Sequence, residues 1–209
     1  ALAVDQIIEL FPEGRFIFLW RDPLAVLASV VSTFCKGQWK YHSNRYLLVE
    51  GAERMTAAAD RFADRAIELN YETLINSAEA TTRRVLEYLE LPFDPVCISD
   101  FDEVRLDSKA LGDQTGTKNY TALSDEPLYK WRQVIHNPLR RLAARFFLDD
   151  LGDPIIERMG YRPCELRRAL SQTPGGWSGF GDDLWQMAAG LLRVQAERGL
   201  FNWADPRGR

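Results

Sequence analysis

Residues 15–20, Arg-Phe-Ile-Phe-Leu-Trp, form a short unbroken apolar run without polar alternation, which predicts a strand buried on both faces of a parallel sheet. Arg21 stands at its carboxyl end. Asp22-Pro23 then supplies a helix N-cap followed by proline at the first helical position, opening a helix whose Leu24, Leu27, Val31 and Phe34 share one face. A second helical pattern runs through Leu47, Leu48, Gly51, Ala52, Met55, Ala58 and Phe62. It gives way to Arg65-Ala-Ile-Glu-Leu-Asn-Tyr71, a second strand, and Asn76 or Ser77 caps a third helix through Val85, Leu86 and Leu89 that Pro92 closes. The order over 15–91 is therefore β-α-α-β-α, the pattern of an α/β domain with a parallel sheet flanked by helices.

Beyond Asp94 the pattern turns irregular and Gly-containing through Gly112 and Gly116 to Asp125, a loop long enough to demand a functional reason. Two helices follow, Pro127 to Ile135 and Pro138 to Leu151, the latter capped by Asn137 and stopped at Gly152; a shorter one ends at Gly160. Gly175-Gly176 marks a hinge before a last amphipathic helix from Asp182 to Arg198, with Leu184, Met187, Ala188 and Leu191 on one stripe. The whole reads as one domain over 1–209, its C-terminal part helix-rich. Two strands alone leave two open edges on a sheet apolar enough to be buried, so the first strand or strands of the sheet are expected from a segment before Ala1 or from another chain.

Composition narrows the chemistry. The 209 residues hold 26 Lys plus Arg against 30 Asp plus Glu, a formal net charge of −4, which is the opposite of a nucleic-acid footprint. An anionic ligand must be held by a few placed cations and backbone N–H groups against the overall field. The nearly apolar run from Pro23 to Cys35 falls short of the roughly 20 residues a spanning helix needs, so no membrane span is expected. Cys35, Cys97 and Cys164 are far apart, with only His42 and His136 as co-ligands, a spacing that suits neither a zinc site nor a disulfide framework; with no signal-peptide pattern at the start, a reducing cytoplasm is the plain reading.

A guanidinium at the carboxyl end of a buried strand, beside a helix start, is placed to bind a phosphate bidentately. At about 100° per residue, Ser29 falls on the helix face opposite the apolar stripe, free to give a hydroxyl to the same group. The alternatives are a salt bridge at Arg21 and an ordinary surface serine. The segment from Phe11-Pro12 through Arg21-Asp22-Pro23, with Ser29 eight residues after the arginine, resembles the 3′-phosphate-binding strand-turn-helix of the sulfotransferase family. The resemblance continues in Asn70-Tyr71-Glu72-Thr73-Leu74, in Leu86-Glu-Tyr88-Leu-Glu-Leu91-Pro92-Phe93-Asp94, in Gly112-Asp113, in Lys130-Trp131-Arg132 and in Met159-Gly160-Tyr161. This is the order of many bacterial members and covers residues 11 to 162, leaving 163–209 as a helical extension.

The resemblance implies a P-loop-type fold, 3′-phosphoadenosine 5′-phosphosulfate (PAPS) as co-substrate, no metal, and a small-molecule or carbohydrate acceptor carrying a hydroxyl or amine. It implies donor contacts for Arg21 and Ser29, a crevice position against adenine for Tyr71, and a second cation for the 3′-phosphate in Lys118. Tyr71 read without the family is equally a ring closing the core edge, and Lys118 a solvated loop lysine. Trp131 packs inward between partly exposed cations. The family's Gly- and Ser/Thr-rich phosphosulfate loop, its transfer lysine and its usual base do not precede the Arg21 strand here; the ten residues before Phe11 offer only Asp5 and Glu9, and His42 reads as a polar residue of an acceptor-side loop. No residue is therefore assigned to catalysis, and the residues given are expected to be inactive in sulfuryl transfer on their own. Segments 36–50 and 172–182 are the expected acceptor walls. A P-loop kinase-like phosphotransferase and a non-catalytic helical module with a vestigial nucleotide site stand as the alternative functions.

Overall fold

The computed structural model describes residues 1–99, 125–190 and 192. Helix α1 (Val4–Leu10) leads into β1 (Phe16–Trp20), then α2 (Pro23–Ser29), α3 (Tyr41–Arg61), β2 (Ala66–Asn70), α4 (Tyr71–Asn76) and α5 (Ala78–Tyr88). After the undescribed stretch come the short α6 (Glu126–Tyr129) and α7 (Trp131–Val134), then α8 (Pro138–Leu151), α9 (Asp153–Arg158), α10 (Pro163–Gln172) and α11, which is helical over 180–190. The α/β class expected from the sequence is the one observed: a small parallel sheet flanked by helices.

The two strands pair in parallel with Phe16 opposite Ala66 and Trp20 opposite Asn70, so in-register partners share a face. On one face Phe18 and Trp20, stacked with ring centroids 5.9 Å apart, bury against Ile8 of α1 and Ala58 and Ala59 of α3. On the other face Ile67 and Leu69 are buried while Ile17 and Leu19 are each 44% exposed. The expectation that β1 is buried on both faces is thus corrected: α5 packs beside β2, and among the described residues the second face of β1 remains open.

A larger core lies beyond the strands' carboxyl ends, where Leu24, Leu27 and Val31 meet Trp131, Ala144, Phe147 and Leu148. Proline and cap chemistry set its helices. Asp22 Oδ1 accepts Leu24 N at 2.7 Å to start α2, and Asn137 Oδ1 accepts Arg140 N at 2.9 Å to start α8. Gly152, at φ +80°, ends α8 in a conformation that side chains rarely adopt.

Several boundaries differ from the sequence pattern. The helix opened at Pro23 changes to π geometry over Val30–Phe34, closed by Cys35 N donating to Val30 O at 3.1 Å. The wider turn rotates Phe34 off the apolar stripe, leaving it 77% exposed. The helix expected over 127–135 is split into α6 and α7, and α1, α4 and α10 were not separately expected. In α11 the expected stripe is only partly turned inward: Met187 packs against the core, Leu184 and Ala188 are exposed and Leu191 lies outside the described residues, whereas Asp183 is buried because Arg140 and Asn137 hold its carboxylate.

Candidate functional site

The site gathers at the carboxyl ends of β1 and β2, where both strands turn directly into helices. Arg21 follows β1 and Tyr71 opens α4 immediately after β2, so parallel pairing brings the two side chains together. The Arg21 guanidinium carbon lies 4.6 Å from the centroid of the Tyr71 ring, a cation–π contact. Nη2 of Arg21 donates to the Pro127 carbonyl at 3.0 Å, tying β1 to α6. Its Nε is buried without a hydrogen-bond partner among the described residues. An unmatched buried donor of this kind carries a desolvation cost of about 1–3 kcal/mol, which an acceptor atom placed on it would remove.

Behind this arginine stands an acidic frame. The Asp22 backbone N–H donates to Glu72 Oε1 at 2.9 Å, and Tyr161 donates its hydroxyl to Glu72 Oε2 at 2.6 Å. Glu72 thereby fixes the β1–α2 turn to α4 and to the turn that follows α9. Burial pushes the Asp22 carboxyl up to about 6, with nearby Glu72 adding to the shift and the two helix N–H groups opposing it. Asp22 was readable in the sequence as a cap. Glu72 and Tyr161 lie in recognised motifs, but their shared hydrogen bond joins residues 89 apart and has no local signature.

A cavity of about 290 Å³ opens beside Arg21, between β1, α2, α3 and α8. Its wall includes Val26, Leu47, Leu48 and Phe147, and among the described residues Arg21 is the one with a charged side chain lining it. Leu47 and Leu48 come from the expected acceptor segment 36–50, but nothing from 172–182 reaches it, because that segment is tied to α8 at the far side of the helical core.

Of the residues anticipated for the donor, Arg21 and Tyr71 are adjacent. Ser29 closes α2, half-buried and about 9 Å further along the helix axis than Pro23 at 1.5 Å per residue. Lys118, with Gly112 and Asp113, lies outside the described residues. Trp131 packs inward, 3% exposed, while Lys130 and Arg132 stay at the surface. His42 falls in the first turn of α3 rather than in a loop. Asp5 pairs with Arg61 at 2.8 Å, and Glu9 is exposed. Among the described residues, no His, Cys, Asp and Glu side chains gather in a group that could hold a metal, and no helix is long and apolar enough to cross a membrane.

Comparison with known proteins bears on the same region. Residues 1–95, from α1 to the start of the irregular stretch, match the sulfotransferase family. Over 171 residues the chain is 23% identical to protein-tyrosine sulfotransferase A of Caenorhabditis elegans, an alignment covering 74% of this chain and 41% of that relative. The chain thus spans well under half the length of the relative it matches. Arg21, Asp22, Tyr71 and Glu72 all lie inside the segment that is similar to the sulfotransferase family.

Proposed function

We propose that the protein binds PAPS at the carboxyl ends of β1 and β2 and serves transfer of its sulfuryl group to a hydroxyl or amine of a small acceptor. The observation that carries this reading is the Arg21 guanidinium, stacked on Tyr71 with a buried Nε that has no partner among the described residues, at the end of a parallel strand. Arg21 and Ser29 are assigned to the 3′-phosphate and Tyr71 to the adenine side of the crevice; Lys118 is assigned as a second cation for the phosphate. In the transfer, the acceptor oxygen or nitrogen bonds to sulfur as the sulfur–oxygen bond to the 5′-phosphate breaks. The phosphate keeps that electron pair, and the acceptor releases its proton. The chain's contribution at Arg21 is to position the donor and hold its charge.

Nucleotide selectivity tests the reading. Adenosine 3′,5′-bisphosphate should raise the melting temperature of the protein, whereas AMP, which lacks the 3′-phosphate, should not. Equal shifts from both would favour a kinase-like site. Arg21→Ala should cost on the order of 2–4 kcal/mol in bisphosphate binding while leaving the fold intact. A variant that unfolds, with nucleotide affinity of its native fraction unchanged, would make the arginine structural.

A further inference from the structure

We infer that Glu72 and Tyr161 are positioning residues for the Arg21–Tyr71 pair: the turn after α9 grips the chain on either side of Tyr71, and Glu72 carries that grip across to the turn beside Arg21. As a role in nucleotide binding this rests on the function proposed above. The first ground is where the strand ladder stops. Its last pair is Trp20 with Asn70, so Arg21 and Tyr71 lie just past the backbone pairing that sets the distance between the strands. A side chain takes over there. Glu72 Oε1 accepts the Asp22 N–H at 2.9 Å, one residue beyond each member of the pair. Helix α4, which carries Tyr71 and Glu72, is six residues long, too short to hold itself in place by helical hydrogen bonds alone.

The second ground is the register of the contacts from the end of α9. Arg158 holds Glu68 with bonds of 2.9 and 3.0 Å, Met159 O accepts Asn70 Nδ2 at 3.1 Å, and Tyr161 donates to Glu72 Oε2 at 2.6 Å. The short run from Arg158 to Tyr161 thus engages side chains 68, 70 and 72, and the last two bracket Tyr71. The same two carboxylates hold β1. Trp20 Nε1 donates to Glu68 at 2.6 Å and Asp22 N to Glu72, so Arg21 is bracketed as well. Gly160, at φ +88°, makes the chain reversal between the Met159 carbonyl and the Tyr161 hydroxyl; a Cβ there would be strained and would stand 3.4 Å from Asn70 Nδ2. The third ground is the state of the guanidinium. Arg21 Nη2 is taken by Pro127 and its face by Tyr71, while its buried Nε has no partner among the described residues. A donor framed in this way is aimed before a ligand arrives, so binding has little left to order.

The test reads the pair first without ligand, by NMR of protein carrying isotope-labelled arginine. The Arg21 Nε–H resonance, identified by its loss in Arg21→Lys, should exchange slowly with solvent. Tyr161→Phe, which removes one hydroxyl and keeps the ring, should speed that exchange at least about tenfold, and Glu72→Ala should do the same. The Arg140 Nε–H, bound to Asp183, should be unmoved, which separates local positioning from a general loosening of the fold. Glu72→Gln keeps an acceptor for Asp22 N–H and a hydrogen-bonding group for Tyr161, so it should restore most of what Glu72→Ala loses. The second reading is titration with adenosine 3′,5′-bisphosphate at a temperature where every variant is folded. Tyr161→Phe should weaken binding at least about fivefold in the parent but less than about twofold when combined with Arg21→Lys, because the coupling runs through the guanidinium. Should one of Tyr161→Phe and Glu72→Ala fail to fold, the other decides. Arg21 exchange that is unchanged in a folded variant, equal loosening of Arg140, or an equal loss of bisphosphate affinity in both backgrounds would overturn the inference. A parent that shows the exchange effects without binding bisphosphate would leave the positioning intact and remove the donor reading.

Discussion

Two carboxylates near the strands are shifted in opposite directions, Asp22 upward by burial and Glu68 downward by the hydrogen bonds of Arg158, and each gives a pH signature. Asp22 is desolvated under the β1–α2 turn, so its folded pKa of about 6 exceeds the unfolded value and the folded state holds the extra proton between about 4 and 6. Its contribution therefore falls as pH rises through that window. Asp22→Asn, which keeps a good capping side chain, should flatten the loss of stability between those pH values, measured as urea midpoints. Glu68 is the reverse: Arg158 holds its carboxylate with bonds of 2.9 and 3.0 Å, Trp20 adds one at 2.6 Å, and the pKa is lowered. That stabilisation is present above the ordinary carboxylate range and disappears as pH falls through the lowered value. Glu68→Gln should reduce stability at pH 7 and make the variant less sensitive than the parent to acidification below pH 4.5. At Arg21, substitution by Lys should recover only part of the bisphosphate affinity lost in Arg21→Ala, because an ammonium cannot reproduce a planar fork resting on the Tyr71 ring.

Beside the apolar cores, polar links between distant segments fasten elements to one another. Arg140 of α8 grips Asp183 of α11 through two bonds of 2.6 and 2.9 Å, and Asn137 adds a third at 2.6 Å. The same guanidinium donates to Gly37 O at 2.9 Å, so the turn after the π segment, the start of α8 and α11 meet at one group. Asp183→Ala leaves Arg140 and Asn137 without their acceptor. It should cost about 3–5 kcal/mol, the cost of breaking a buried pair, visible as a lower melting temperature. The double substitution Arg140→Met with Asp183→Leu should recover much of that loss, since it removes both charges together.

At the scale of the molecule, the open face of β1 sets the expected behaviour. Among the described residues, Ile17 and Leu19 of β1 are each 44% exposed while Phe18 and Trp20 on the opposite face are buried. Ile17→Thr with Leu19→Thr should leave the melting temperature of the present chain within about 0.5 kcal/mol equivalent of the parent, as for exposed positions, and reduce its aggregation.

What the sequence determined by itself was what local sterics and periodicity decide. The apolar runs at 16–20 and 66–70 made strands, Asp22-Pro23 and Asn137-Pro138 started helices, and Gly152 ended one, because each depends on residues only a few positions apart. The motifs carrying Arg21 and Tyr71 were equally legible, and the parallel β-α-α-β order put both at one end of the sheet. Tertiary structure alone decided the rest. A π turn moved Phe34 outward, Arg140 turned α11 so that Asp183 faces inward, and Arg21 found its carbonyl partner 106 residues away at Pro127. The apolar cavity likewise exists only where β1, α2, α3 and α8 converge, each contributing a wall. Helical and strand periods specify which residues share a face, but the rotation of that face about its axis is set by the partner it meets, and those partners lie far along the chain.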